Sequence, residues 1–215
     1  MPEGPEIRRF TDALAQVLGR SRVRDIRFAF ARLQRHAAAL TGQRIVAVEA
    51  RGKAMLIRFS GGLTLYSHNQ LYGEWIVYPG TPPQTHLQQR ILIRTARGCA
   101  VLYSATEIEL LDEPALARHR YLLRLGPDVL EAATTLAIVR ARLQSPAFAR
   151  RRLAALLLEQ GFLAGLGNYL RSEILFAAPA PRPAPDRPSP RASPHPRLAH
   201  PHHQPPRLPH RRRHQ

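Results

Sequence analysis

Residues 44–78 read RIVAVEARGKAMLIRFSGGLTLYSHNQLYGEWIVY. The stretch divides into RIVAVEA (44–50), AMLIRF (54–59), LTLYS (63–67) and EWIVY (74–78), each rich in β-branched or aromatic residues. Such residues fit a pleated, half-buried surface, and glycine-bearing breaks between the runs reverse the chain. Gly61-Gly62 reads as a two-residue hairpin turn. RILIRT (90–95), CAVLYS (99–104) and EIELL (107–111) extend the pattern, with Arg97-Gly98 as another tight turn. Many short strands with turn punctuation predict an antiparallel sandwich or barrel.

On the amino-terminal side, Ile7, Phe10, Leu14, Val17 and Leu18 recur at helical spacing over 5–18, with Arg8, Arg9 and Asp12 opposite. Pro5 suits the first turn, Glu3 and Glu6 suit the positive end of the helix dipole, and Gly19 marks the stop. Past Pro114 the pattern turns helical, over about 114–123, 135–143, 147–160 and 168–177. The class is therefore α+β, with a β-rich part at 1–112 and a helical part at 113–178. From 179 to 215 the chain is Pro, Arg and His with little apolar content. Such a segment buries too little to offset the entropy of ordering, so a disordered tail is expected. It reads either as a basic arm or as the product of a shifted reading frame, and the abrupt break in EILFAAPAPRP favours the second.

The chain carries 32 Lys+Arg against 15 Asp+Glu, a formal charge of +17, which favours a polyanionic partner such as nucleic acid. An arginine-rich solvated surface is the alternative. Cys99 is the sole cysteine, which excludes an internal disulfide and a cysteine-built zinc site. The start MPEGPEIRRF lacks a signal-peptide core, and no apolar run nears the ~20 residues that span a bilayer. A cytoplasmic protein with no membrane association is expected.

Four segments could carry chemistry. Initiator methionine is commonly removed before proline, which would leave Pro2 as a free secondary amine. An α-amino group ionises near ~8 rather than ~10.4, so part of it is nucleophilic at neutral pH. Glu3 stands beside it as a candidate proton donor, although Pro and Glu are ordinary at helix starts. Lys53 is the only lysine, and lysine can exchange its proton where arginine cannot. In SHNQLYG (67–73), Gln70, Leu71 and Tyr72 could enter a duplex as a wedge and fill the hole of a flipped nucleotide; an ordinary hairpin loop is the alternative. In GLGNYLR (165–171), glycines before a helix expose backbone N–H groups to an anion, with Asn168 where a cap belongs. Arg124, before Gly126-Pro127, is a further candidate phosphate contact.

Taken together, PEGPEIRR, RGKA, LYSHNQLYG, GPDVL and FLAGLGNYLRSEIL resemble the formamidopyrimidine-DNA glycosylase/endonuclease VIII family, most closely its endonuclease VIII branch, over about 1–177. The resemblance implies a catalytic β-sandwich domain (1–112), a helix–two-turn–helix DNA-binding domain (113–178), and damaged double-stranded DNA bound by a monomer. It implies excision of oxidised bases, pyrimidines by branch, through a Schiff base on Pro2. Glu3 would be the proton donor, Lys53 the donor for β-elimination, and Gln70, Arg124 and Asn168 DNA contacts. The family's four-cysteine zinc hairpin has no counterpart, so no cofactor and no metal is expected. His200, His202 and His203 could bind a metal only loosely. Two other classes compete: a non-catalytic basic DNA-binding protein, and a tautomerase using an amino-terminal proline.

Overall fold

The computed structural model describes residues 1–178; the tail expected at 179–215 lies outside the described residues. In chain order the elements are α1 (Gly4–Leu18), β1 (Asp25–Phe28), α2 (Ala31–Gln34), α3 (Ala37–Leu40), β2 (Ile45–Arg51), β3 (Ala54–Phe59), β4 (Thr64–His68) and β5 (Glu74–Tyr78). They continue with β6 (Gln89–Thr95), β7 (Gly98–Tyr103), β8 (Glu107–Leu111), α4 (Glu113–Ala117), α5 (Arg120–Leu123), α6 (Leu136–Gln144), α7 (Leu153–Leu156) and α8 (Asn168–Ala177). The strands form two antiparallel four-stranded sheets, ordered β1-β6-β7-β5 and β2-β3-β4-β8. Among the described residues no helix is long and apolar enough to cross a membrane.

Alternation along the strands decides what each sheet buries. Ile26, Phe28, Trp75, Ile91, Ile93 and Leu102 of the first sheet meet Ile45, Met55, Ile57, Phe59, Leu65 and Ile108 of the second in one core. Ile7, Leu14 and Leu18 of α1 close its flank. The run AMLIRF is apolar on both faces because both are covered. Its other face, Ala54 and Leu56, joins Tyr66, Leu111 and Leu116 beneath Tyr121 and Leu122 of the helical part. A separate cluster of Leu156, Leu157, Phe162, Leu163 and Leu166 holds the helical part together.

The expectations for AMLIRF, EWIVY and EIELL fall on the observed strands, and the helix at 168–177 matches α8. Several others need correction. The Gly61-Gly62 turn is a three-residue loop: Phe59 N–H donates to Leu63 O at 2.8 Å, and Gly62 alone is left-handed at φ 86°. The helix expected over 147–160 reduces to α7, because Phe148 turns back to pack edge-on against Phe162 at 5.1 Å. The helix expected over 114–123 breaks at His119, whose extended backbone lays its ring over Tyr66 at 4.3 Å. β1 escaped notice because DIRF alone is short and charged; its strand character comes from antiparallel pairing with β6.

Candidate active site

The amino terminus is held by backbone approach that only glycine permits. Gly4 N–H donates to Gly165 O at 2.7 Å, and a Cβ on Gly4 would lie 3.1 Å from Gly165 Cα. Gly165 is left-handed at φ 93°. Thus the FLAGLGN segment (162–168) runs against the start of α1, leaving Pro2 half-buried and Met1 exposed.

Glu3 is buried, 6 % exposed, and its carboxylate faces α8 rather than its own helix. It accepts from the N–H groups of Gly167 (2.9 Å), Tyr169 (2.8 Å) and Leu170 (3.0 Å). Two carboxylate oxygens offer about four acceptor positions, so three donors leave about one free. The amides belong to a helix N-terminus, where unpaired donors and the helix dipole favour an anion. The anion site read from the sequence is therefore filled from within the chain. Asn168 is the first helical residue and not the cap; Gly167 takes that position, with Asn168 exposed beside it. Glycine at 167 lets the Glu3 carboxylate lie this close, since a methyl there would overlap it. Glu6 completes the arrangement by accepting the Glu3 N–H at 2.7 Å.

Lys53 lies in the turn between β2 and β3, where Gly52 is left-handed at φ 60°. Both amides of this turn are bound by the helical part. Gly52 N–H donates to Asp128 Oδ2 at 3.0 Å, and Lys53 N–H donates to Tyr121 Oη at 3.0 Å. Burial pushes the Tyr121 hydroxyl up to about 12, so it remains neutral in this contact. Burial also draws the Lys53 ammonium below the ordinary lysine value, against the opposing pull of the nearby Glu3 charge. Lys53, Glu3, Asn168, Gly167, Tyr169, Leu158 and Met1 line one cleft of about 380 Å³.

The loop after β4 lies beyond the same end of the sheet, since Ala54 pairs with His68. Leu71 and Tyr72 project at its tip, 58 % and 77 % exposed. Gln70 is left-handed at φ 52°, and its amide is anchored: Nε2 donates to Glu107 at 2.9 Å while Oε1 accepts from Thr106 at 2.7 Å. Its backbone N–H donates to His68 Nδ1 at 3.1 Å, which needs that nitrogen unprotonated. Burial lowers the His68 pKa, and the Lys53 charge adds to this while Glu107 opposes it. Arg124 is exposed at the end of α5 and lines a second opening with Glu107, His119, Tyr121 and Gln160. It is not among the residues of the Lys53 cleft.

Sequence reasoning overlooked Asp128, Tyr121 and Glu107, which hold the Lys53 turn and the Gln70 loop. Asp128 stood inside GPDVL and Glu107 opened the strand EIELL, and nothing local marked either side chain. Among the described residues no group of three or more His, Cys, Asp or Glu side chains could hold a metal. Cys99 is fully buried, with its thiol donating to Gly80 O at 3.0 Å.

Residues 1–107 match the model of the formamidopyrimidine-DNA glycosylase N-terminal domain. The chain is 51 % identical over 177 residues to Endonuclease 8 of Klebsiella pneumoniae subsp. pneumoniae, covering 82 % of this chain and 67 % of the relative. It is 52 % identical, over the same shares, to Endonuclease 8 of Salmonella paratyphi B. Its fold is similar to that of wild-type Lactococcus lactis Fpg (MutM) crystallised with an N7-benzyl-Fapy-dG containing DNA. That likeness has a TM-score of 0.65 at 22 % identity, covering 81 % of this chain and 66 % of the other.

Proposed function

The chain belongs to the formamidopyrimidine-DNA glycosylase/endonuclease VIII family, and from that premise we propose that it is a base-excision-repair DNA glycosylase and abasic-site lyase whose nucleophile is Pro2. The observation that carries the assignment of residues is the convergence of Glu3, Lys53 and Asn168 on one cleft beside the amino terminus.

With Met1 removed, the Pro2 nitrogen offers its lone pair to C1′ of a damaged deoxynucleotide. The glycosidic bond breaks and the base departs with the bonding electrons. The Glu3 carboxylate takes the proton that the Pro2 nitrogen sheds and passes it to the ring oxygen as the sugar opens, leaving a cationic iminium between Pro2 and C1′. The iminium acidifies the C2′ hydrogens, and loss of one expels the 3′ phosphate by β-elimination. Lys53, held in the cleft wall with its ammonium made a readier acid by burial, is the proton donor for that step. The anchored Gln70 and the exposed Leu71 and Tyr72 enter the duplex where the nucleotide leaves the stack. Arg124 and Asn168 hold phosphates on either side.

In this reading residues 1–112 are the catalytic domain and 113–178 the DNA-binding domain of a monomer acting on damaged duplexes, oxidised pyrimidines first. The cytoplasm is its setting. Its one cysteine is committed to the core, so no cysteine-built zinc site forms part of this proposal.

Borohydride reduction in the presence of abasic DNA tests the nucleophile. A covalent complex should form with the native protein, be lost in Pro2→Gly, and be slowed in Lys53→Ala. Trapping unchanged in Pro2→Gly and abolished in Lys53→Ala would overturn the assignment.

A further inference from the structure

At the end of the sandwich away from the cleft, arginines gather with no acid to balance them. Between 20 and 24, exposed and buried residues alternate: Arg20, Arg22 and Arg24 face solvent while Ser21 and Val23 turn inward. Arg44 is bridged to Arg22, and Arg24 N–H donates to Arg94 O at 2.8 Å, so further cations flank the row. The neighbouring acid, Asp25, is already engaged by Arg27 at 3.0 Å. Arg22 donates to Gly42 O, whereas the side chains of Arg20, Arg24, Arg44 and Arg94 have no hydrogen-bond or ion-pair partner among the described residues. Like charges brought this close cost stability unless a counter-charge visits them.

Two rulers place the row far from the cleft. α1 runs from Gly4, beside the catalytic residues, to Leu18, which at 1.5 Å per residue is about 22 Å. β2 runs the other way, from Ile45 to Arg51, about 23 Å. Arg20 N–H donates to Ile45 O at 2.9 Å, which ties the far ends of both elements together. A straight duplex seated on the cleft at one end of the sandwich would not lie along this row.

We propose that Arg20, Arg22, Arg24 and Arg44 form a second, sequence-independent site for the phosphodiester backbone of another nucleic-acid segment, separate from the cleft. Arg22 sits in a bridge to Arg44, between a turn at Arg20, whose φ is 59°, and a bend at Arg24; alternate residues here lie at most roughly 6.6 Å apart, within the spacing of successive phosphates along a strand. Ser21 and Val23 between them are buried, so the row offers no aromatic ring to stack on a base, and Val46, two residues past Arg44, is a single exposed aliphatic side chain beside it. It therefore holds a backbone chiefly by charge.

The test uses the full chain bound to an immobilised, undamaged duplex, followed by a second, fluorescent duplex at rising salt. The native protein should capture the second duplex. Counterion release at about 0.9 per phosphate gives a slope near 3.6 for four contacts, roughly a 150-fold loss of capture affinity between 50 and 200 mM salt. Replacing all four arginines with glutamine should abolish capture, while replacing them with lysine should preserve it. Trapping of a short abasic duplex by borohydride should stay unchanged in both variants, which separates this site from the cleft chemistry. Capture that survives the glutamine variant, or a native protein that holds one duplex and no more, would overturn the proposal. So would equal, arginine-dependent binding of vesicles rich in phosphatidylserine.

Discussion

Gly167→Ala replaces a hydrogen with a methyl group at the point where the amino terminus meets α8. The new methyl would overlap the Glu3 carboxylate. Glu3 must swing away, and of its three bonds to Gly167, Tyr169 and Leu170 at most one survives the rotation. Net hydrogen bonds to a charged group are worth about 1.5–3 kcal/mol each. Loss of two gives about 3–6 kcal/mol as an upper figure, reduced to the extent that the freed carboxylate reaches water. At roughly 2–4 °C per kcal/mol for a domain of this size, the low end of that figure, about 3 kcal/mol, lowers Tm by about 6–12 °C. Because Glu3 is also the proton donor, single-turnover excision of an oxidised pyrimidine should slow by at least 100-fold, the rate equivalent of about 2.7 kcal/mol. Cleavage of a preformed abasic site, which needs no base to leave, should fall less. Gly80→Ala is the control, since a methyl there meets nothing within 4 Å. If Gly167→Ala melts and excises like the native protein, Glu3 is not held by α8 in the way described.

Tyr121→Phe deletes the acceptor of the Lys53 N–H and leaves a half-buried donor unpaired, which should cost about 1–3 kcal/mol by denaturant titration and slow β-elimination more than base excision. Lys53 has a depressed pKa in the folded chain, so between that value and the ordinary lysine value the unfolded chain binds more protons and stability rises with pH. Lys53→Met should remove that alkaline rise in pH-dependent melting; an unchanged profile would assign the rise elsewhere. Leu71→Ala with Tyr72→Ala should leave stability within about 0.5 kcal/mol, because both side chains project into solvent. The same double variant should slow excision from a duplex while sparing cleavage of a single-stranded abasic site.

The basic row and the cleft also bear on the +17 charge. Arg8 pairs with Asp12, Arg58 with Glu49 and Glu113, and Arg151 with Glu159. Surface pairs of this kind contribute little stability, so their effect is to confine the unbalanced charge to particular faces.

Local pattern determined much of this protein. Period-two runs marked most of the strands, helical spacing marked α1 and α8, and Pro2, Glu3 and Lys53 stood out for the chemistry their side chains allow. These features are legible because they depend on neighbours two to four residues away or on the nature of a single group. What only the tertiary structure decided is which partners those groups meet. The anion at the start of α8 is Glu3, 164 residues upstream of Gly167. The amides that aim Lys53 are held by Asp128 and Tyr121, 76 and 68 residues downstream of the groups they bind. The interruption of 114–123 at His119 follows from a ring stacked on Tyr66, far away in the chain. Periodicity records which face of an element is apolar, but a carboxylate or hydroxyl satisfies donors equally well from any direction. Its choice among them is made only when the two parts of the chain close on each other.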